Sequence, residues 1–151
     1  SVSMCFSKGL GAPVGSVIAG SEAFIGVAKR TRKALGGGMR QVGILGAAAL
    51  LALREGPSRL AIDHARARQV ADAVQGLRPV GIDLNTVESN ILMVDTPDHD
   101  AQDLMQFLNE RQILAMVFGP KRIRMVFHRD QTDDHVQRCI EGLTDWARQR
   151  S

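Results

Sequence analysis

The chain has 151 residues, 44% of them hydrophobic and 23% charged, with a formal net charge of +3. That length allows one domain with its own core or parts of two, and so slight a charge gives no indication of a nucleic-acid partner. Two cysteines supply neither a disulfide framework nor a metal-binding spacing, and no unbroken apolar run reaches the ~18 residues that a membrane span needs.

At the start, Val2, Met4 and Phe6 alternate with Ser1, Ser3 and Cys5, the period of a short strand. Lys8 follows at once, set among Gly9, Gly11, Pro13 and Gly15. A secretory signal would place a charged segment before a longer apolar run, so a chain opening inside a strand reads as one lacking an earlier piece. Residues 14–19 predict a second strand. Ser21 is a good cap for a helix through Phe24, Ile25, Ala28 and Leu35, with Lys29, Arg30, Arg32 and Lys33 on its solvent side. Gly36-Gly37-Gly38 ends it and predicts a flexible loop.

The Ala/Leu/Gly run over 42–53 reads as a helix packed on every side, closed by Glu55-Gly56-Pro57. From 60 to 77, Ala67, Val70, Ala71, Val74 and Leu77 fall at helical spacing, and Arg78-Pro79 stops the run. The remainder predicts strands near 80–84 and 90–95, a helix over 98–110, strands near 113–118 and 122–128, and a helix over 132–148. In that last helix Val136, Cys139, Ile140, Leu143 and Trp146 share a face, while Asp133 and Asp134 sit at its positive end. The fold class is α/β: residues 1–57 read as part of a larger domain, 58–77 as a connecting helix and 78–151 as a small α+β domain.

Several patterns carry little chemistry. Gly9-x-Gly11-x-x-x-Gly15 is one residue off the dinucleotide fingerprint and leads into a strand, where that fingerprint needs a helix. The basic run 29–33 reads as a solvated face with no interleaved aromatics, and the chain has no tyrosine to stack on bases. His64, His99, His128 and His135 lack metal-site spacing; His99 and His135 stand at helix starts and read as solvated. Cys5 and Cys139 read as buried thiols of a cytosolic protein. Lys8 differs, because a lysine amine can form a Schiff base when its surroundings lower its proton affinity. A glycine turn at a strand end also lets a backbone approach a bulky ring.

Read together, SKGLGAPVGS, RKALGGGMRQ, IDHARARQVA, VESNILMV and RMVFHRD resemble the C-terminal half of a low-specificity L-threonine aldolase. That resemblance, which runs over essentially the whole chain in order, implies a pyridoxal-phosphate enzyme of the aspartate-aminotransferase-like fold (fold type I). It makes Lys8 the residue that joins the cofactor aldehyde and Arg124 the holder of the substrate carboxylate, with Arg122, two residues earlier on the same strand face, as a rival. Lys33 and Arg40 correspond to basic residues near the cofactor phosphate or substrate, in relatives often those of a neighbouring subunit. Ser7 is a candidate contact to that phosphate, and His128 a support for the strand carrying Arg124.

The implied reaction is retro-aldol cleavage of L-threonine or L-allo-threonine to glycine and an aldehyde, with no metal. The implied setting is a cytoplasmic homodimer or homotetramer, with glycine biosynthesis as its role. The family's N-terminal half has no counterpart here, and with it go the ring-stacking histidine, the acidic partner of the pyridine nitrogen and the phosphate loop. The expectation is therefore a chain inactive alone that needs that half as partner, with apolar surface left exposed near its start. Two readings remain beside it: another fold-type-I lyase or aminotransferase, and a non-catalytic fragment serving as an interaction module.

Overall fold

The computed structural model describes residues 1–150, which divide into two compact units, one ending at Leu60 and the other starting at Ala61. In the first unit, β1 (Val2–Cys5) pairs antiparallel with β2 (Ser16–Ala19) in the register Val2 to Ala19 and Cys5 to Ser16. Then comes α1 (Glu22–Ala34), capped by the Ser21 hydroxyl, which accepts from the Phe24 N–H at 3.3 Å. The triglycine after it is more ordered than the sequence suggests. Gly36 takes φ +81°, its N–H donates to Lys33 O, and the Gly37 N–H donates to Arg32 O at 2.8 Å. These are the two bonds of a glycine helix stop, which satisfy carbonyls that would otherwise be orphaned.

The expected break at Glu55-Gly56-Pro57 is absent. A single helix, α2 (Gly43–Val74), runs through it, with Pro57 inside and with the boundary between the units at Leu60. Pro57 withholds the N–H that would bond the Leu53 carbonyl, a local loss that one helix turn can bear when its neighbours pack. Gly56 is buried where the hairpin loop comes close. The core of this unit is small: Leu10, Ala12 and Ala52, with Phe6 and Leu60 packed against them. No residue of α1 is buried, and Val2, Leu35 and Ile44 are at least 70% exposed.

The second unit is a three-stranded antiparallel sheet of β3 (Ile91–Asp95), β4 (Met116–Gly119) and β5 (Arg122–Val126), ordered β3-β5-β4. Alternation places Leu92, Val94, Ile123 and Met125 on the inner face. They form one core with α3 (Ala101–Glu110), α4 (Asp133–Arg150) and the Ala67, Val70, Ala71, Val74 stripe of α2. Trp146 is fully buried in it, and its indole N–H donates to Asp103 at 3.0 Å.

The strand expected over 80–84 is reduced to a single bridge, Gly81 to Asp95, followed by a 3-10 turn at Leu84–Thr86. Asp83 accepts from the Asn85 N–H and Thr86 donates to Asp83 O, local bonds that compete with a ladder. β4 likewise starts at Met116 rather than 113. Ile113 N–H is spent on Leu108 O, in a helix stop that puts the non-glycine Gln112 at φ 60°. Cys139 is buried as expected, whereas Cys5 is only partly buried.

Candidate active site

Lys8 opens a tight turn. Its carbonyl accepts from the Gly11 N–H at 2.8 Å, and the Ala12 N–H donates to Phe6 O at 2.9 Å, so the loop 6–12 is tied to itself at both ends. Leu10 and Ala12 point into the small core, while the side chains of Ser7 and Lys8 are exposed. Glycines at 11 and 15 take φ +79° and +121°, conformations an L side chain rarely adopts. An accessible amine on a backbone held this firmly is a workable carrier for an aldehyde.

Lys33 lies at the last turn of α1 with its side chain over the Gly38 backbone, where an added Cβ would meet Cδ at 2.8 Å. Arg40 follows two residues later and is exposed. Among the described residues, the side chains of Ser7, Lys8, Lys33 and Arg40 hold no hydrogen bond or ion pair with one another. The hydroxyl, the lysine amines and the guanidinium are each of a type that can meet a phosphate. By chemistry each suits a phosphorylated aldehyde, while no contact among the described residues gathers Ser7 and Lys8 with Lys33 and Arg40.

In the second unit the two rival arginines have different surroundings. Arg122 forms a two-pronged ion pair with Asp95, at 2.5 and 3.0 Å, and that carboxylate raises the guanidinium further above its ordinary value. Among the described residues, Arg124 has no acidic partner. The strand register places it between Met93 and Met116, and its guanidinium reaches Met116 Sδ at 3.8 Å and the Phe118 ring at 5.9 Å. Its Nε is buried with no acceptor. A cation in an apolar row with a donor unsatisfied is costly to the fold unless something binds there.

Arg124 also lines a cleft of about 460 Å³ between the lead-in to β4, the end of β5 and the start of α4. Arg138, His128 and His135 line it too, with Met125 and Cys139 among the apolar residues, and no carboxylate does. Burial pushes the Cys139 thiol up to about 12. His128 sits on the strand exit, its N–H donating to Gln131 Oε1 at 2.9 Å and its ring 3.6 Å from Asp130. His135 is exposed at the start of α4, where its Nδ1 accepts from the Thr132 N–H at 3.1 Å. His99 is partly covered, stacked edge-on against Trp146.

Sequence reasoning missed Asp95 and the two methionines, because only strand register puts them beside the arginines. It also took Gly56 for a helix stop. Its burial against the lysine loop has no signal in a single sequence.

The profile of the beta-eliminating lyases matches residues 1–97. The chain belongs to the beta-eliminating lyase family. Members of this family depend on pyridoxal phosphate. Low-specificity L-threonine aldolase 1 of Arabidopsis thaliana is 45% identical over 139 residues, covering 90% of this chain and 39% of the relative. Aldolase vrtJ of Penicillium aethiopicum is 53% identical over 162 residues, covering 98% of this chain and 39% of the relative. Across the curated relatives it matches, this lyase-family chain spans 34% to 42% of their length. A solved structure from Exiguobacterium sp. 255-15, described as an aromatic amino acid beta-eliminating lyase/threonine aldolase, superposes with a TM-score of 0.72 at 19% identity. It is covered to 44%, and this chain to 95%. The architecture is thus that of the pyridoxal-phosphate-dependent transferase fold. No helix among the described residues is long and apolar enough to cross a membrane.

Proposed function

We propose that this chain is part of a pyridoxal-phosphate-dependent aldolase that cleaves L-threonine or L-allo-threonine to glycine and an aldehyde. The observation that carries the reading is the contrast within β5: Arg122 is held by Asp95, while Arg124 stands free of any acid in an apolar row. A planar guanidinium so placed is ready for a carboxylate, and its two parallel N–H groups would fix the orientation of the amino acid about Cα. Lys8 is the residue assigned to hold the cofactor through its amine, with Ser7, Lys33 and Arg40 toward the phosphate. Pyridoxal phosphate, when bound, supplies an electron sink for the charge left at Cα as a bond there breaks. The Lys8 amine, exposed on a firmly bonded turn, can be displaced and return, and can carry a proton while free.

The domain assignment belongs to the same reading: 1–57 within the cofactor-binding domain, 58–77 as connector, 78–151 as the small domain. The further length of the relatives would cover the exposed apolar surface of the first unit, and the chain alone is inactive. A dimer or tetramer in the cytoplasm, serving glycine formation, completes the proposal. The unpaired Cys5 and Cys139 suit a reducing compartment.

The test is reduction with borohydride of the chain reunited with the rest of the enzyme, in the presence of pyridoxal phosphate, followed by mapping of the adduct. Modification concentrated on Lys8 supports the reading; equal modification of Lys8 and Lys121 sinks it. The family profile itself favours one alternative, β-elimination. Product analysis of the chain reunited with the rest of the enzyme separates the two, since only an aldolase releases glycine from threonine. A β-eliminating lyase or an aminotransferase would release a keto acid. A non-catalytic module would release neither.

A further inference from the structure

We infer that Gly56 is a positioning residue for Lys8, and that α2 acts as the seat of the lysine loop. This inference rests on the assignment of Lys8 as cofactor carrier. Ala52, Gly56 and Leu60 recur every four residues and so share one helix face. Ala52 packs with Leu10 and Ala12 in the small core, and Phe6 and Leu60 pack against them. The contacts are close in both directions. A Cβ on Gly9 would lie 2.7 Å from Leu60 Cδ2, and a Cβ on Gly56 would lie 2.7 Å from Leu10 Cδ2.

The second contact matters more, because the same Cβ would also meet Leu10 Cα at 3.2 Å and Leu10 O at 3.3 Å. A side-chain tip can swing away; backbone atoms move only if the loop moves. Leu10 is a central residue of the turn whose first carbonyl, that of Lys8, accepts from Gly11. A push on the Leu10 backbone is therefore delivered to the peptide that carries Lys8. This accounts for a glycine in mid-helix, where the residue itself is unfavourable. It also gives α2 a role beyond connection.

The discriminating control lies in the same helix. Gly46 also belongs to α2, and nothing lies within 4 Å of where its Cβ would be. Gly56→Ala and Gly46→Ala both favour helix through propensity alone, so any difference between them reports the loop. The experiment uses the chain reunited with the rest of the enzyme, with two readouts. The first is amide exchange at Gly11 and Ala12, whose N–H groups bond Lys8 O and Phe6 O. The second is the ratio of borohydride-trapped pyridoxyl groups on Lys8 to those on Lys121, which belongs to the other unit.

In Gly56→Ala both amides should exchange faster and the Lys8 to Lys121 ratio should fall several-fold, with Gly56→Val more affected again. Gly46→Ala should match the unmodified chain. No change in Gly56→Ala overturns the inference. Faster exchange with an unchanged ratio also overturns it, since the seat would then be structural only. If the unmodified chain labels Lys8 and Lys121 alike, the carrier assignment fails instead. The exchange data alone then decide whether Gly56 seats the loop.

Discussion

Arg124→Met exchanges the guanidinium in the Met93–Arg124–Met116 row for a side chain like its two neighbours. In the native chain the Nε is buried with no acceptor, and the Nη end meets the Met116 thioether, a weak partner. An unsatisfied buried donor costs about 1–3 kcal/mol. Because the rest of the side chain is only half-buried, the low end applies, and the variant should gain about 1 kcal/mol. Trp146 is the sole tryptophan and is fully buried in the second unit, so its fluorescence follows the unfolding of that unit. With a urea slope of about 1–2 kcal/mol/M, the midpoint should rise by roughly 0.5–1 M. Arg122→Met is the partner experiment. It strands Asp95 without its cation, so the midpoint should hold or fall. If Arg124→Met lowers the midpoint, or if both variants shift alike, Arg124 is not held at the expense of stability. The unpaired guanidinium of Arg124 is then no sign of a site waiting for a carboxylate.

Other outcomes can be checked on the same sample. Asp103 is held below its ordinary value of 3.8 first by the hydrogen bond from Arg150, helped by Trp146 and the charges of Arg150 and His99, and opposed by burial. A carboxylate whose folded value is depressed contributes stability above its unfolded value and loses it as pH falls through the folded one. Asp103→Asn should therefore melt below the native chain at neutral pH, the gap closing under acid; a pH-independent gap contradicts this. With its thiol raised to about 12, Cys139 should resist alkylation in mild alkali while Cys5 reacts, and mass mapping reads which sulfur is modified. Gln112 stands at φ 60°, a region costing an L residue about 1–2 kcal/mol, so Gln112→Gly should stabilise by about 1 kcal/mol. A fall in the urea midpoint would show that the Gln112 side chain contributes more than its backbone costs.

Much of the fold is legible wherever one local pattern acts without a rival. The Ser21 cap, the strand at β1, and the Val136, Cys139, Leu143, Trp146 face of α4 all reappear in the structure, although the apolar Val2 and Met4 of β1 are exposed rather than set on a buried face. Misreadings occur where a local signal competes with packing or with side-chain hydrogen bonds. Gly56-Pro57 has the composition of a helix stop, but the loop leaning on Gly56 gives the helix a reason to continue. Residues 80–84 look like a strand, yet Asp83 and Thr86 bond their own backbone and curl the chain. At the site, motif resemblance favoured Arg124 over Arg122, and strand register supplies a physical distinction. Alternation alone could not, since both arginines lie on the same face of β5.

The two arginines also explain why the outer face of the small sheet stays specific while being so apolar. Ile91, Met93, Met116, Phe118 and Val126 share that face with only Asp95 and the two arginines as charges. Had Asp95 stood one row nearer the chain start on β3, opposite Arg124, it would have neutralised the wrong cation and left Arg122 beside the turn. With Asp95 opposite Arg122, both carboxylate oxygens are spent on that guanidinium at the end of the sheet, one row away from Arg124. One carboxylate thus fixes which arginine is spent on structure and which remains available. That choice requires both the register of β3 against β5 and the absence of any acid from the cleft that Arg124 lines.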